Sequence, residues 1–137
     1  VELSWRESKN NLITLNKISF NGKGVVLNTA YNSTIEQNII SDNNLGISVE
    51  YSNKNNVIEN NIFNNEKNAQ IESATIDVMR FLHSNIWDGN YWGEPKNQVA
   101  IPGNCYLPFM SILLGQGISF SFNTFDYHPA QKPYDIP

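Results

Sequence analysis

The sequence predicts an all-β protein, a right-handed parallel β-helix of about four coils closed by an aromatic, proline-rich C-terminal cap. Three observations predict it: a segment that recurs every 22 to 24 residues, an asparagine content concentrated in the first half, and a tail of different composition that holds all six prolines.

The recurrence is anchored on Asn16, Asn38, Asn61 and Asn85. Residues at constant offsets from these asparagines match in kind, the signature of stacked structural repeats. Three positions earlier stand Ile13, Ile35, Ile58 and Leu82; two positions later stand Ile18, Ile40, Phe63 and Trp87. Eight positions later come Gly24, Gly46, Ala69 and Gly93, small residues where the chain must turn tightly. Each coil reads as a short alternating apolar run followed by polar turn residues, as in Thr34 to Ile40 followed by Ser41 to Asn44. Such runs are too brief to bury themselves, so equivalent strands must stack at roughly 4.8 Å and form a common interior. The four aligned asparagines are then expected to form a structural amide ladder, each bonding to the next coil.

Of the 22 asparagines, 17 precede position 69, which argues against helices and for many turns, because asparagine is a poor helix former that tolerates left-handed geometry. The template weakens after Ala69, where Gln70 and Glu72 replace the apolar pairs Val25/Leu27 and Ile47/Val49, so a distorted or shifted third coil is expected. Residues 74–82 resume a strand-like pattern. The repeat ends at Gly93, dividing one domain into coils (1–93) and a capping segment (94–137), within which Gly117 to Phe122 reads as a strand folding back over the stack. A cap is needed because an open strand edge invites intermolecular pairing.

Composition narrows the function. A net charge of −4 with nine unclustered basic residues excludes the footprint of a nucleic-acid binder. The lone Cys105 supports neither an internal disulfide nor a zinc site and reads as a small buried hydrophobe. The longest apolar run, Phe109 to Leu114, is far too short to span a membrane, and the residues following Val1 lack the basic start and apolar centre of a signal peptide. No cofactor and no membrane insertion are expected.

The strings Asn32-Ser33-Thr34-Ile35-Glu36-Gln37-Asn38-Ile39-Ile40-Ser41-Asp42-Asn43 and Asn56-Val57-Ile58-Glu59-Asn60-Asn61-Ile62-Phe63-Asn64-Asn65 resemble the repeats of NosD-like right-handed β-helix proteins of the archaeal surface or secreted type. Gly89 to Gly93 and the tail from Phe125 to Pro137 resemble the closing segment of several archaeal members. The resemblance implies a secreted or surface-exposed β-helix, of a group described by analogy as carbohydrate-binding or carbohydrate-cleaving, with one branch linked to copper-site maturation.

The chemistry-bearing candidates are few. Thr14, Glu36, Glu59 and His83 lie two positions before the aligned asparagines and are expected to project outward from consecutive coils. Two carboxylates roughly 5 Å apart disfavour joint ionisation, a glycosidase-like arrangement of acid and base. The same residues, or His128 with Asp126 and Asp135, are the only donor sets for a transition metal, and Asp42 with neighbouring amides the only one for calcium. With only two histidines, two arginines and one cysteine, neither a copper carrier nor a polysaccharide lyase is favoured. Trp87, Tyr91, Trp92, Tyr106 and Tyr127 suit either a core plug or, for Tyr91, Trp92 and Tyr127, a sugar-contacting patch. Asn32-Ser33-Thr34 is a glycosylation sequon. The leading expectation is a non-enzymatic extracellular or cell-surface module, structural or binding in role, whose N-terminal coil meets copies of itself in fibres or an adjoining domain. The alternative is a glycan-binding or glycan-cleaving protein.

Overall fold

The computed structural model describes residues 1–3, 8–73, 85–107, 115 and 118–137, and the described residues are all-β as expected. The chain enters on β1 (Glu2–Leu3) and then winds through β2 (Ser8–Lys9), β3 (Leu12–Thr14), β4 (Lys17–Ser19) and β5 (Lys23–Asn28). The next turn is β6 (Ala30–Tyr31), β7 (Thr34–Glu36), β8 (Ile39–Ser41) and β9 (Leu45–Glu50). It is followed by β10 (Asn56–Ile58), β11 (Asn61–Phe63) and β12 (Lys67–Ser73), and then by β13 (Ile86–Asp88), β14 (Val99–Leu107) and β15 (Ile118–Asp126).

Equivalent strands pair in parallel, rung on rung: β3, β7, β10 and β13 in one ladder, β4, β8 and β11 in a second. A third comprises β1, β5, β9, β12 and β14. The sheets are mixed, because β14 and β15 form an antiparallel pair and β15 also touches β13 at Trp87↔Asp126, joining two ladders into one ten-stranded sheet. The parallel ladder therefore continues past residue 93 into β14.

The register corrects the alignment read from sequence. Asn38 Oδ1 accepts from the Asn16 amide at 3.0 Å, Asn60 Oδ1 from Asn38 at 3.0 Å, and Asn90 Oδ1 from Asn60 at 3.2 Å. The ladder is thus Asn16, Asn38, Asn60 and Asn90, not Asn61 and Asn85. Asn85 belongs to another column, accepting from the Asn55 amide, as Asn55 does from Ser33. Asn61 faces the tail instead. Adjacent asparagines at 60 and 61 make the two readings indistinguishable by pattern, and a one-residue slip moves every side chain to the opposite face.

With the register set, the core columns are Ile13, Ile35, Val57 and Trp87, and Ile18, Ile40 and Ile62, all buried. Ile58 and Phe63, expected inside, are only half-buried. Val25, Ile47 and Ala69, with Leu27, Val49 and Ile71, continue the interior, so the third coil is not distorted at Ala69. Each buried branched side chain contributes on the order of 1.5–3 kcal/mol. The small-residue column is Gly24, Gly46 and Asn68: a Cβ on Gly46 would stand 2.5 Å from the Asn68 carbonyl oxygen. Leu82, His83 and the strand expected over 74–82 lie outside the described residues.

The corners follow one local rule. A residue with positive φ (Leu15 57°, Gln37 53°, Glu59 54°, Gly89 67°) precedes each ladder asparagine. The asparagine Nδ2 then donates back across the corner, as from Asn38 to the Glu36 carbonyl at 2.9 Å, and to the preceding coil, at the Ile13 carbonyl at 2.9 Å. Non-glycine residues seldom adopt this conformation, and the side-chain bonds hold them there. Equivalent corners carry Asn21, Asn43 and Asn65, and Ser52 bonds to the Ala30 amide.

At the C-terminal end the expected cap residues close the stack. β15 runs from Ile118, folding back along β14 as the alternation at Ile118, Phe120 and Phe122 predicts. The Phe122 ring occupies the space a Cβ on Gly103 would need, at 2.3 Å. Asp126, fully buried, replaces the next asparagine of the ladder: its Oδ2 accepts from Asn90 N, Asn90 Nδ2 and Trp92 Nε1 at 3.0, 3.2 and 3.0 Å. The tail then crosses the side of the stack, where Tyr134 and Asn61 exchange two hydrogen bonds of 2.8 Å and Ile136 is buried.

Candidate binding surfaces

The predicted outward column of Thr14, Glu36, Glu59 and His83 is not assembled. Thr14 and Glu36 are neighbours, but the next positions are Ile58 and Asp88. Glu59 occupies the corner column with Leu15, Gln37 and Gly89, and His83 lies outside the described residues. The acid–base pair expected from Glu36 and Glu59 therefore has no geometric basis. Asp88 instead meets His128, whose Nδ1 lies 2.8 Å from Asp88 Oδ1 in an exposed pair.

A different column does set carboxylates on adjacent rungs. On the outward face of the third ladder, Asn28, Glu50, Glu72 and Asn104 are successive register partners. Lys23 Nζ donates to Glu50 Oε1 at 2.6 Å, Ser48 Oγ donates to the same oxygen at 2.7 Å, and Asn28 Nδ2 donates to Oε2 at 3.3 Å. Gln70 Nε2 donates to Glu72 at 3.1 Å. Partial burial pushes the Glu50 carboxyl up, but the Lys23 and Ser48 hydrogen bonds and the Lys23 charge outweigh it and hold the group below its usual value. This column was missed because it becomes visible only when the third coil is placed in register.

The aromatic candidates separate. Trp92 is buried against Trp87, ring centroids 6.1 Å apart, and its Nε1 is committed to Asp126, so it belongs to the plug and not to a sugar patch. Trp87 is also core, and its Nε1 has no hydrogen-bond partner among the described residues. Tyr91 is half-buried with its hydroxyl on the Gly93 carbonyl, while Tyr127 is exposed and packs on Phe125. Asn32 is exposed at a positive-φ corner, accessible to a modifying enzyme. Asp42 is exposed and accepts from Ser41. Asp126 Oδ1 accepts from the His128 amide, while the His128 ring turns to Asp88, so these two side chains do not converge with Asp135.

Stacked parallel ladders, amide-locked corners and outward polar columns define a β-repeat scaffold. The family model for "Periplasmic copper-binding protein (NosD)" matches residues 2–97, and the chain belongs to the NosD family. That description places the family in the periplasm, outside the cytoplasm. No curated protein and no solved structure matches the chain. The copper named in the description was tested against the side chains present. Among the described residues, no three of His, Cys, Asp and Glu converge, and Cys105 is buried. That donor set does not fit a copper centre.

Proposed function

We propose that this chain is a non-enzymatic extracytoplasmic module, secreted or displayed at the cell surface, whose ladders form the sides of a right-handed parallel β-helix and whose role is end-on assembly. The observation that carries this reading is the asymmetry of the two ends. The C-terminal end is covered by β15 and the tail, whereas β3 and β4 pair only with the coil that follows them. Unpaired parallel edges of this kind are templates for further strands.

The test is to continue the stack. A copy of residues 9–24 fused ahead of Val1 would place Val1–Leu3 where Val25–Leu27 sit in the next coil, consistent with the Glu2↔Val26 register. The extended chain is expected to unfold at higher urea than the original, and a version displaced by one inserted glycine is expected to lose that gain. Equal stability of all three would count against end-on assembly.

A second reading rests on the column Asn28, Glu50, Glu72 and Asn104 with exposed Tyr106 beside it, a row of hydrogen-bonding groups suited to a linear glycan. Binding on a glycan array that disappears in a Glu50→Gln/Glu72→Gln variant would support this reading; an array without hits would remove it.

A further inference from the structure

The corner lattice has a direction, and it ends differently at the two ends of the stack. Within it, the amide N–H and Nδ2 of each ladder asparagine both donate to Oδ1 of the following one: Asn16 to Asn38 at 3.0 and 3.1 Å, Asn38 to Asn60 at 3.0 and 3.0 Å, and Asn21 to Asn43 at 3.0 and 3.2 Å. Every coil thus offers acceptors to the coil before it and donors to the coil after it. At the C-terminal end the last donors, on Asn90, are taken by Asp126. At the N-terminal end the Oδ1 atoms of Asn16 and Asn21 accept nothing from the described residues, and both side chains are exposed, whereas Asn38, Asn43 and Asn60 in the same columns are buried. Asn11 is in the same position, its Nδ2 donating to Ser8 and Ser33 while its Oδ1 accepts nothing from the described residues.

β1 already continues the lattice by one rung on one side. Its Val1 carbonyl accepts from the Val26 amide at 2.8 Å. At that level β3 and β4 have no strand over them among the described residues, so the rung is begun on one side and open on the others.

Resting on the end-on reading above, we propose that this face is a receptor for an extended segment of another polypeptide, one that carries left-handed corner residues followed by Asn or Ser at five-residue spacing. Such a segment completes the rung that β1 begins. Its corner N–H groups donate to Oδ1 of Asn11, Asn16 and Asn21, and its strands pair with β3 and β4 by addition to a sheet edge. A second copy does not supply it: the corner donors at its C-terminal end are occupied by Asp126, and opposing two N-terminal faces sets acceptor oxygens against acceptor oxygens.

The probe is a labelled peptide with the sequence of residues 32–43, which contains three such corners, at Asn32-Ser33, Gln37-Asn38 and Asp42-Asn43. Fluorescence anisotropy with the intact chain is expected to show saturable binding, absent for a scrambled peptide. An Asn16→Ala/Asn21→Ala variant, checked for native unfolding behaviour, is expected to weaken binding at least about tenfold, the loss of more than one hydrogen bond. Light scattering of the chain alone is expected to show a monomer. Absence of saturable binding, or equal binding by the variant, overturns the proposal. Dimers or rods of the chain alone that the peptide disperses also overturn it, by making a second copy the occupant, while leaving end-on assembly in place. Failure of the fused coil to stabilise would instead remove the end-on reading itself.

Discussion

Asp126 shows how one atom type closes a repeat. Its Oδ2 does what an asparagine Oδ1 does elsewhere in the column, accepting two bonds from Asn90, but it also takes the Trp92 Nε1 and its second oxygen accepts the His128 amide. Asp126→Asn keeps an acceptor for the ladder but sets an NH2 group against an N–H, at an expected cost of about 1–2 kcal/mol. Asp126→Ala strands the Asn90 and Trp92 donors in the interior and should cost about 3 kcal/mol or more. Urea unfolding of the two variants checks the order. Tyr134 reports on the tail: burial raises its pKa above the ordinary tyrosine value, and the charges of Glu59, Asp126 and Asp88 raise it further. Because the folded pKa is raised, the hydroxyl's contribution is fully present below the unfolded tyrosine pKa and is lost as pH rises from there through the folded value. Its bond to the Gly89 carbonyl, at 2.7 Å, fails over the same window. Stability of the wild type should therefore fall at alkaline pH, and Tyr134→Phe should flatten that dependence. Glu50 has the opposite sign. Its lowered pKa gives stability present above the unfolded carboxylate value and lost as pH falls through the folded one, and Lys23→Met should reduce that acid sensitivity.

At the scale of the element, the corner is the repeating device, and its worth depends on where in the stack it sits. Asn38 makes three donor contacts and accepts two from Asn16, all in a buried position. Asn38→Ala should destabilise by about 3 kcal/mol or more, because several backbone groups lose their partners in the interior. Asn16→Ala, at the exposed end of the same column, should cost about 1 kcal/mol or less. Equal costs for the two, measured by urea unfolding, would show that the ladder is not cooperative along the stack. The strand positions are as demanding as the corners. Gly46→Ala sets a Cβ against the backbone oxygen of Asn68, which cannot rotate away, and should cost about 1–3 kcal/mol. These elements were partly legible from sequence: the strand at Thr34–Glu36, the corner at Gln37-Asn38 and the glycines at 24 and 46 all stand where the pattern put them. The third coil was misaligned by one residue because Asn60 and Asn61 both satisfy the pattern locally. The fourth was misaligned because its ladder asparagine, Asn90, comes 30 residues after Asn60 instead of 22.

For the whole molecule, one-dimensional stacking makes the ends different from the middle. Interior coils are satisfied on both faces, the C-terminal face is closed by a carboxylate and a docked tail, and the N-terminal face keeps its acceptors exposed. Stability in such a stack is approximately a sum over coils and the contacts between them, so a coil added at the open face should raise stability without altering the chemistry of the rest. The outward polar columns follow from the same geometry. Placing Glu50 and Glu72 side by side needs no local signal in either strand, only the register that pairs Val49 with Ile71.

The sequence by itself determined the all-β class, the use of asparagine at corners, the inward positions of the first two coils and the segment that closes the stack. These are properties of local pattern: side-chain alternation, left-handed tolerance and apolar content are carried by a few consecutive residues. The tertiary structure alone decided which asparagines share a ladder, that Asn61 holds the tail, that Asp126 ends the lattice, and which carboxylates are neighbours. Register between coils is set by the simultaneous fit of several columns of hydrogen bonds and buried side chains, and no single repeat contains enough information to choose it.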